Sequence, residues 1–337
     1  MWRCSASFNA MPRPDQPARQ SSRRPDPPTN EELPRSSALY ETAPQPVLTD
    51  VAERLRVAFQ GEPGAFSEDA IHALWGPLAE PVPMATFADV MDAAEEGDVD
   101  FGLLPVESTL VGDVSSAYDL LSLHDCLVIA AEVVLPVRLA VLGLPGATLA
   151  ALRTVASHPL ILEHCVYFLE RHRAIRAEPA ADTAGAAREV AERGDATRGA
   201  LGSRRAAEQY GLDILADGVE DRPDSQFRFL AVAREPSSIT ESGTARTAVC
   251  CVFPDAAGSL VKGLKPIADA SFRITHLAAR PTREPWSYRF FLEFEHPALD
   301  PRAAAALIQL RHASLEYRLL GTYPKWLGSE GSRDVDQ

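Results

Sequence analysis

Residues 222–235, RPDSQFRFLAVARE, set one cation, Arg228, between two aromatic rings, Phe227 and Phe229, where a polar turn runs into a strand over Phe227–Val232. A guanidinium there can hold a carboxylate bidentately. Three other stretches place polar groups where a ligand could be received. In FQGEPGAFSEDAIHALWG, Gly61 and Glu62 open a turn between a strand and a helix, with Ser67 as the expected N-cap and Glu68 and Asp69 in the first turn. Backbone N–H groups at such a helix start can meet an anion. The spacing is neither GxGxxG nor a P-loop, so it does not indicate a nucleotide. In LLPVESTLVG, Glu107, Ser108 and Thr109 sit at the carboxyl end of an apolar strand, where open α/β sheets place ligands. In SHPLILEHCVYFLERH, Ser157 is the expected cap of a helix opening at Pro159. That helix brings in His158 and His164, whose imidazoles titrate near neutral pH. Each group also has a plainer account, as a turn, a sheet-edge cation, a cap-adjacent histidine or a helix-surface histidine.

The elements that must position these groups alternate. A strand at 56–60 leads into the first helix, and a helix at 88–97 leads into the strand at 101–105. A helix from Val114 to about Leu123 and strands at 127–134 and 138–142 complete one lobe. A short strand at 154–156, the helix from Pro159, AADTAGAAREVAERG as a helix opened by Asp182 and Thr183, TRGALGS, RRAAEQYG and LDILA make a second. The β/α alternation predicts parallel sheets in two lobes with a cleft between them. After a polar linker at 236–246, TAVCCVFPD, GSLVKGLKPIADA, FRITHLAARP, WSYRFFLEFE, PRAAAALIQLRHA and YRLLGTYP follow the order βαββαβ, the ferredoxin-like plan.

Composition narrows the function classes. A net charge of −14 with no Lys/Arg stripe argues against nucleic acid and anionic membrane as partners. Five cysteines, Cys4, Cys126, Cys165, Cys250 and Cys251, show no metal-binding spacing and indicate free thiols in a reducing cytoplasm, with no metal and no cofactor. No stretch approaches the ~20 apolar residues of a membrane span. Residues 1–48, rich in Pro, Ser and Arg, read as a disordered tail rather than a targeting signal. The expected division is tail at 1–48, two-lobed domain at 50–235, βαββαβ domain at 246–325 and a second tail at 326–337.

Taken in order, FQGEPGAFSEDA, LLPVESTLVG, ASHPLILEHC, DTAGAA, YGLDILA and FRFLAV resemble the motifs of the prephenate dehydratases and their arogenate relatives, over about residues 55–325. The resemblance implies an α/β fold with a two-lobed, periplasmic-binding-protein-like catalytic domain followed by a ferredoxin-like ACT domain. It implies prephenate as a small-molecule substrate and a homodimer or homotetramer. Such enzymes expel CO2 and a ring hydroxyl together, and the hydroxyl needs a proton donor. The family assigns that role to the threonine of an Asn-x-Thr-Arg-Phe motif. Here the motif reads Ser225-Gln226-Phe227-Arg228-Phe229, and a phenyl ring cannot donate a proton.

Other departures cluster with it. Glu107-Ser108-Thr109 stands for Glu-Asn-Ser, and His164 stands for a glutamine. The pattern is similar to the non-aromatising prephenate decarboxylases of specialised, antibiotic-type metabolism, which lack the threonine. On that reading CO2 leaves, the hydroxyl stays, and the resulting allylic carbanion is protonated on carbon. His164 is the expected donor, with water held by Ser108 or Thr109 as its rival. Arg228, Ser157, Thr183, Gly61, Glu62, Ser67 and Phe229 are the expected substrate contacts, with Glu107 binding substrate or orienting its neighbours. The alternatives are a dehydratase forming phenylpyruvate with another acid, and an inactive regulator sensing a small acid. In the ACT-like part, Gly258, Leu260 and Arg280 match an effector motif whose glutamate is missing, so weakened feedback is expected.

Overall fold

The structure, a computed structural model, describes residues 54–109, 112–237 and 243–328. The expected tail at 1–48 and all but the first residues of that at 326–337 lie outside them. Among the described residues no helix is long and apolar enough to cross a membrane.

The first lobe contains β1 (Leu55–Gln60), α1 (Phe66–Trp75), β2 (Ala79–Met84), α2 (Phe87–Glu96), β3 (Phe101–Ser108), β4 (Gly112–Asp113), α3 (Ser115–Leu121) and β5 (Val128–Pro136). The second contains β6 (Ala140–Gly143), β7 (Thr154–Ser157), α4 (Pro159–Glu163), α5 (Val166–Arg171), β8 (Arg176–Pro179), α6 (Thr183–Arg193), β9 (Arg198–Gly202), α7 (Arg204–Tyr210) and β10 (Asp213–Asp217). The chain then returns to the first lobe in β11 (Gln226–Ala233). Strand orders are β2-β1-β3-β11-β5, with β4 on β3, and β10-β6-β9-β7-β8. The two crossings between lobes run side by side. Glu220 on the return crossing binds Arg138 at 3.0 Å and accepts from Leu139 N at 3.0 Å on the outgoing one.

The expectation of parallel sheets is corrected. β1 is parallel to β2 and β3, and β7 to β8 and β9, but β11 is antiparallel to both β3 and β5, and β6 to both β9 and β10. A strand that enters its sheet from the other lobe has no crossover helix to keep it parallel. Strand β2 escaped the sequence reading because AEPVPM carries two prolines. It is an edge strand bonded only to β1, where missing N–H donors can face away from the ladder.

Three helix starts also differ from expectation. Helix α1 begins at Phe66 with Ala65 as N-cap, so Ser67 lies inside the first turn, and the Glu68 carboxylate accepts from Gly64 N at 2.6 Å. The cap of α4 is His158, whose Nδ1 accepts from Leu160 N at 3.2 Å, while Ser157 is buried and donates to Leu201 O at 2.8 Å. The expected long helix from Pro159 is broken at His164–Cys165, because Asp221 from the return crossing accepts from Val166 N and Tyr167 N at 2.9 and 2.8 Å and starts a second helix there.

The last module is β12 (Thr244–Val252), α8 (Ser259–Asp269), β13 (Arg273–Pro281), β14 (Tyr288–Pro297), α9 (Pro301–Ala313) and β15 (Glu316–Pro324), a ferredoxin-like antiparallel sheet in the order β13-β14-β12-β15. One face packs Val249, Cys251, Leu292 and Phe294 against Ile267, Ala306 and Leu310 of its helices. The opposite face continues into the first lobe, where Ala248, Cys250, Phe291 and Leu320 share a core with Met91, Leu121, Ile129 and Leu230. Strand β15 approaches β5 so closely that a Cβ on Gly321 would lie 2.3 Å from Ile129 O. Only glycine fits that contact.

Candidate active site in the interlobe cleft

A cleft of about 500 Å³ lies where both lobes meet. The first lobe contributes Gln60 and Gly61 at the end of β1, Phe66 and Ser67 of α1, Thr86 and Phe87 at the start of α2, Pro105 of β3, and Phe227 and Phe229 of β11. The second contributes His158, Leu160 and Ile161 at α4, and Asp182 and Thr183 at α6. The starts of α1, α2 and α6 therefore open on one space, and their first N–H groups and dipoles favour an anion there. No lysine or arginine is among the described residues that line it. An anionic ligand would be met by helix starts, hydroxyls and His158, against a wall of phenyl rings.

His158 is held as a directed donor. Its Nδ1 is occupied by the Leu160 N–H, which leaves Nε2 to carry the ring proton. Burial lowers its pKa, with Asp182 and Glu163 pulling the other way. Asp182 caps α6 by accepting from Gly185 N at 2.6 Å, and Thr86 and Asp89 form a reciprocal capping box at the start of α2. Sequence reasoning missed Thr86, although Thr-x-x-Asp is legible, because the strand before it was hidden by its prolines.

Strand β11 divides its residues between two faces. Phe227, Phe229 and Ala231 belong to the interlobe core, and Leu230 and Val232 to the core shared with the ferredoxin-like module. Arg228 follows the second set. Expected to clamp substrate, it is placed by the structure away from the cleft lining. Its Nε donates to Glu132 at 2.8 Å, Nη2 lies 2.7 Å from Glu293 Oε2 and donates to Tyr323 Oη at 3.0 Å, and Nη1 is 3.7 Å from Glu107. Burial opposes its charge, but the Tyr323, Glu293, Glu132 and Tyr118 oxygens around it more than offset this and raise its pKa. Arg246 Nη1 joins Glu132 at 2.7 Å, and Tyr118 donates to Glu293 at 3.0 Å, so first lobe and module share one polar network.

A bulge in β3 sorts the neighbouring strand the same way. Phe227 pairs with Ser108 and Arg228 with Glu107, but Phe229 pairs with Pro105, so Val106 is the extra residue. Past the bulge the faces exchange. Glu107 goes to the module side with Arg228, and Ser108 goes beneath Phe227. Thr109 is a staple whose hydroxyl accepts from Gln226 N at 2.9 Å. Neither Glu107, Ser108 nor Thr109 lines the cleft.

His164 is only 1% exposed and sits behind Phe227, its ring 5.4 Å away edge-on and its Nε2 3.3 Å from Ser108 Oγ. Burial lowers its pKa against the pull of Asp221, Glu163 and Glu220. Expected as the proton donor, it lies against the back of the cleft wall and is not among the residues that line the cleft. Phe66 and Phe229 complete the cluster at 5.9 and 6.3 Å from the Phe227 ring.

Of the remaining expected contacts, Gly61, Ser67, Thr183 and Phe229 are brought to the cleft. Ser157 is spent on Leu201 O, and Glu62 pairs with Arg188 at 3.1 Å outside it. In the module, Gly258 is the exposed N-cap of α8 with φ +80°, Leu260 of α8 packs partly buried against the module's core, and Arg280 lies 3.6 Å from Asp113 and 3.9 Å from Asp119 of the first lobe.

Comparison with known proteins gives these features a family. Arogenate dehydratase/prephenate dehydratase 1, chloroplastic, of Arabidopsis thaliana is 36% identical over 286 residues, covering 80% of this chain and 72% of that protein. Arogenate dehydratase 2 of Petunia hybrida is 35% identical, with the same coverage. Among solved structures, GqqA, described as a novel type of quorum quenching acylase, has a TM-score of 0.73 at 31% identity and covers 81% of this chain and 98% of its own. The prephenate dehydratase of Arthrobacter aurescens in complex with L-Phe has a TM-score of 0.74 at 26% identity, covering 80% and 90%. Residues 57–237 match the family described as prephenate dehydratase, and with the relatives' identity and coverage this establishes that the chain belongs to the prephenate dehydratase family.

Proposed function

We propose that the cleft takes prephenate and removes its ring carboxylate without aromatising the ring, giving a dihydro-4-hydroxyphenylpyruvate for a specialised pathway. The observation that carries this reading is Phe227 on the cleft wall where the family motif has its hydroxyl acid. A carboxylate laid against Phe66, Phe227 and Phe229 loses hydration, which favours its departure as uncharged CO2. The C1–CO2 bond breaks and its electron pair becomes an allylic carbanion. With no acid at Phe227 to protonate the C4 hydroxyl, that oxygen stays. The far alkene carbon takes a proton from water held by the Ser67 and Thr183 hydroxyls, so one proton enters as one CO2 leaves. The side-chain carboxylate is met by the helix starts and the Nε2–H of His158.

A second reading, aromatising dehydration of prephenate or arogenate, is favoured by the dehydratase names of the curated relatives and by the Ser67 and Thr183 hydroxyls on the cleft, either of which could serve the leaving group. Acyl hydrolysis, the activity named for GqqA, would need a reachable nucleophile hydrogen-bonded to a base, whereas the Ser108–His164 hydrogen bond is buried behind Phe227. Incubation of the purified protein with prephenate separates these readings. A non-aromatic keto acid that keeps the hydroxyl is expected, and phenylpyruvate as the main product would refute it. The proposal includes an ACT-type regulatory role for the ferredoxin-like module, a homodimer or homotetramer, and a cytoplasmic setting. The setting is supported by the free thiols of Cys126, Cys165, Cys250 and Cys251, and size-exclusion chromatography with light scattering tests the assembly.

A further inference from the structure

The loop between β1 and α1, residues 61–65, belongs to the first lobe but is held by the second. Tyr210 Oη donates to Pro63 O at 2.8 Å, and Ser203 Oγ donates to Gly64 O at 2.8 Å while capping α7 through Ala206 N at 3.0 Å. Two ion pairs flank these bonds, Arg188–Glu62 at 3.1 Å and Arg205–Asp69 at 2.5 Å. We infer that Tyr210 and Ser203 are positioning residues for the cleft, a catch through which closure of the lobes sets the start of α1 against the ligand.

The loop is divided between its two anchors. Three of its N–H groups are tied within the first lobe: Gly61 N donates to Met84 O at 3.0 Å, Ala65 N to Glu62 O at 3.2 Å and Gly64 N to the Glu68 carboxylate at 2.6 Å. Its Pro63 and Gly64 carbonyls are tied to the second lobe. Glycine at 64 lets α7 come this close, since a Cβ there would lie 2.9 Å from Ala206 Cα. Burial raises the pKa of Tyr210, and the charge of Glu62 adds to it, so the phenol stays a donor at neutral pH.

What the loop carries gives the catch its consequence. Phe66 and Ser67 follow it directly, and their N–H groups open α1 without partners inside the helix. Both residues line the cleft, together with Gly61 and Ala65, whereas Tyr210 and Ser203 are not among the lining residues and act through the loop. When the lobes part, both hydroxyls leave with the second lobe. Gly61 and Gly64, at φ +117° and +91°, then free the loop to turn, so the anion-facing start of α1 is assembled on closure. The link to turnover rests on the reaction proposed for the cleft; the catch itself does not.

Hydrogen–deuterium exchange and steady-state kinetics on the full-length protein test this with Tyr210→Phe, which removes one hydroxyl and keeps the ring. Exchange over residues 61–67 of the ligand-free variant should quicken about fivefold with β9 unchanged, and KM for prephenate should rise about fivefold while kcat stays within about twofold. Gly64→Ala, which pushes the loop off α7, should raise both at least as much. Adding Tyr210→Phe to it should change KM less than about twofold further, because the catch is already broken. Unchanged exchange over 61–67 in Tyr210→Phe overturns the inference, as does a fall in kcat at unchanged KM. If the parent protein leaves prephenate untouched, the proposed reaction falls, and exchange over 61–67 alone upholds or overturns the catch.

Discussion

Phe227 and Arg228 are consecutive in the chain and belong to different sites, Phe227 to the wall of the interlobe cleft and Arg228 to a buried ion network beneath the ferredoxin-like module. The substitution that distinguishes this cleft from the family motif is therefore separable from the arginine beside it.

Restoring the hydroxyl tests the first half of that separation. Phe227→Thr should produce phenylpyruvate alongside the dihydro product, read by the ultraviolet spectrum and chromatography. It should also cost about 3 kcal/mol of stability, because an 8% exposed ring is removed from contact with Phe66, His164 and Phe229. A stable variant making only the dihydro compound would show that the ring is not the switch.

Arg228→Met tests the second half. Glu132 and Glu293 would be left buried with less compensation, at a cost of about 3–5 kcal/mol in chemical denaturation, while KM for prephenate changes little in whatever folded fraction remains. A clamp on substrate would give the opposite pattern, a large rise in KM at unchanged stability.

His158 is best tested with asparagine. Asn retains a side-chain acceptor for the start of α4 and loses the directed Nε2–H, so kcat/KM should fall about tenfold to a hundredfold with the melting temperature nearly unchanged. Equal activity in His158→Asn and the parent would remove His158 from the substrate contacts.

The pH dependence of stability has a definite sign. Burial lowers the pKa of His164, His158 and His296, so the folded state takes up protons less readily than the unfolded chain. The stability held by these neutral rings is complete above the unfolded value of about 6.5 and declines as pH falls through the lowered folded values. His164→Gln should flatten that decline. A further loss should follow below about pH 4.5, because Glu295 is held at about 2: burial would raise it, but Arg273, Arg246 and Lys325 outweigh burial. Circular dichroism melts from pH 8 to pH 3 check both steps, and a His164→Gln profile parallel to the parent's would remove that ring as a source.

Much of this architecture was legible in the chain. The βαββαβ order of the last module could be read because each element carries its own period and its own turn signals, and the turn and helix-start signals around Gly61, Ser67 and Thr183 mark segments that line the cleft. What failed was set by contacts distant in sequence. The bulge at Val106 that exchanges the faces of Glu107 and Ser108 exists only against β11, more than a hundred residues on. The break that turns His164 inward is made by Asp221, which the sequence places in an unremarkable polar turn. The destination of Arg228 depended on the carboxylates of Glu132 and Glu293, which no local pattern announces as its partners.

The two-faced β11 also bears on how such a protein can change. Odd positions, 227 and 229, meet the ligand space, and even ones, 228 and 230, hold the module in place. A new reaction outcome can thus be tried at one odd position while the joint between the domains is inherited intact, and the joint can be retuned without retraining the chemistry.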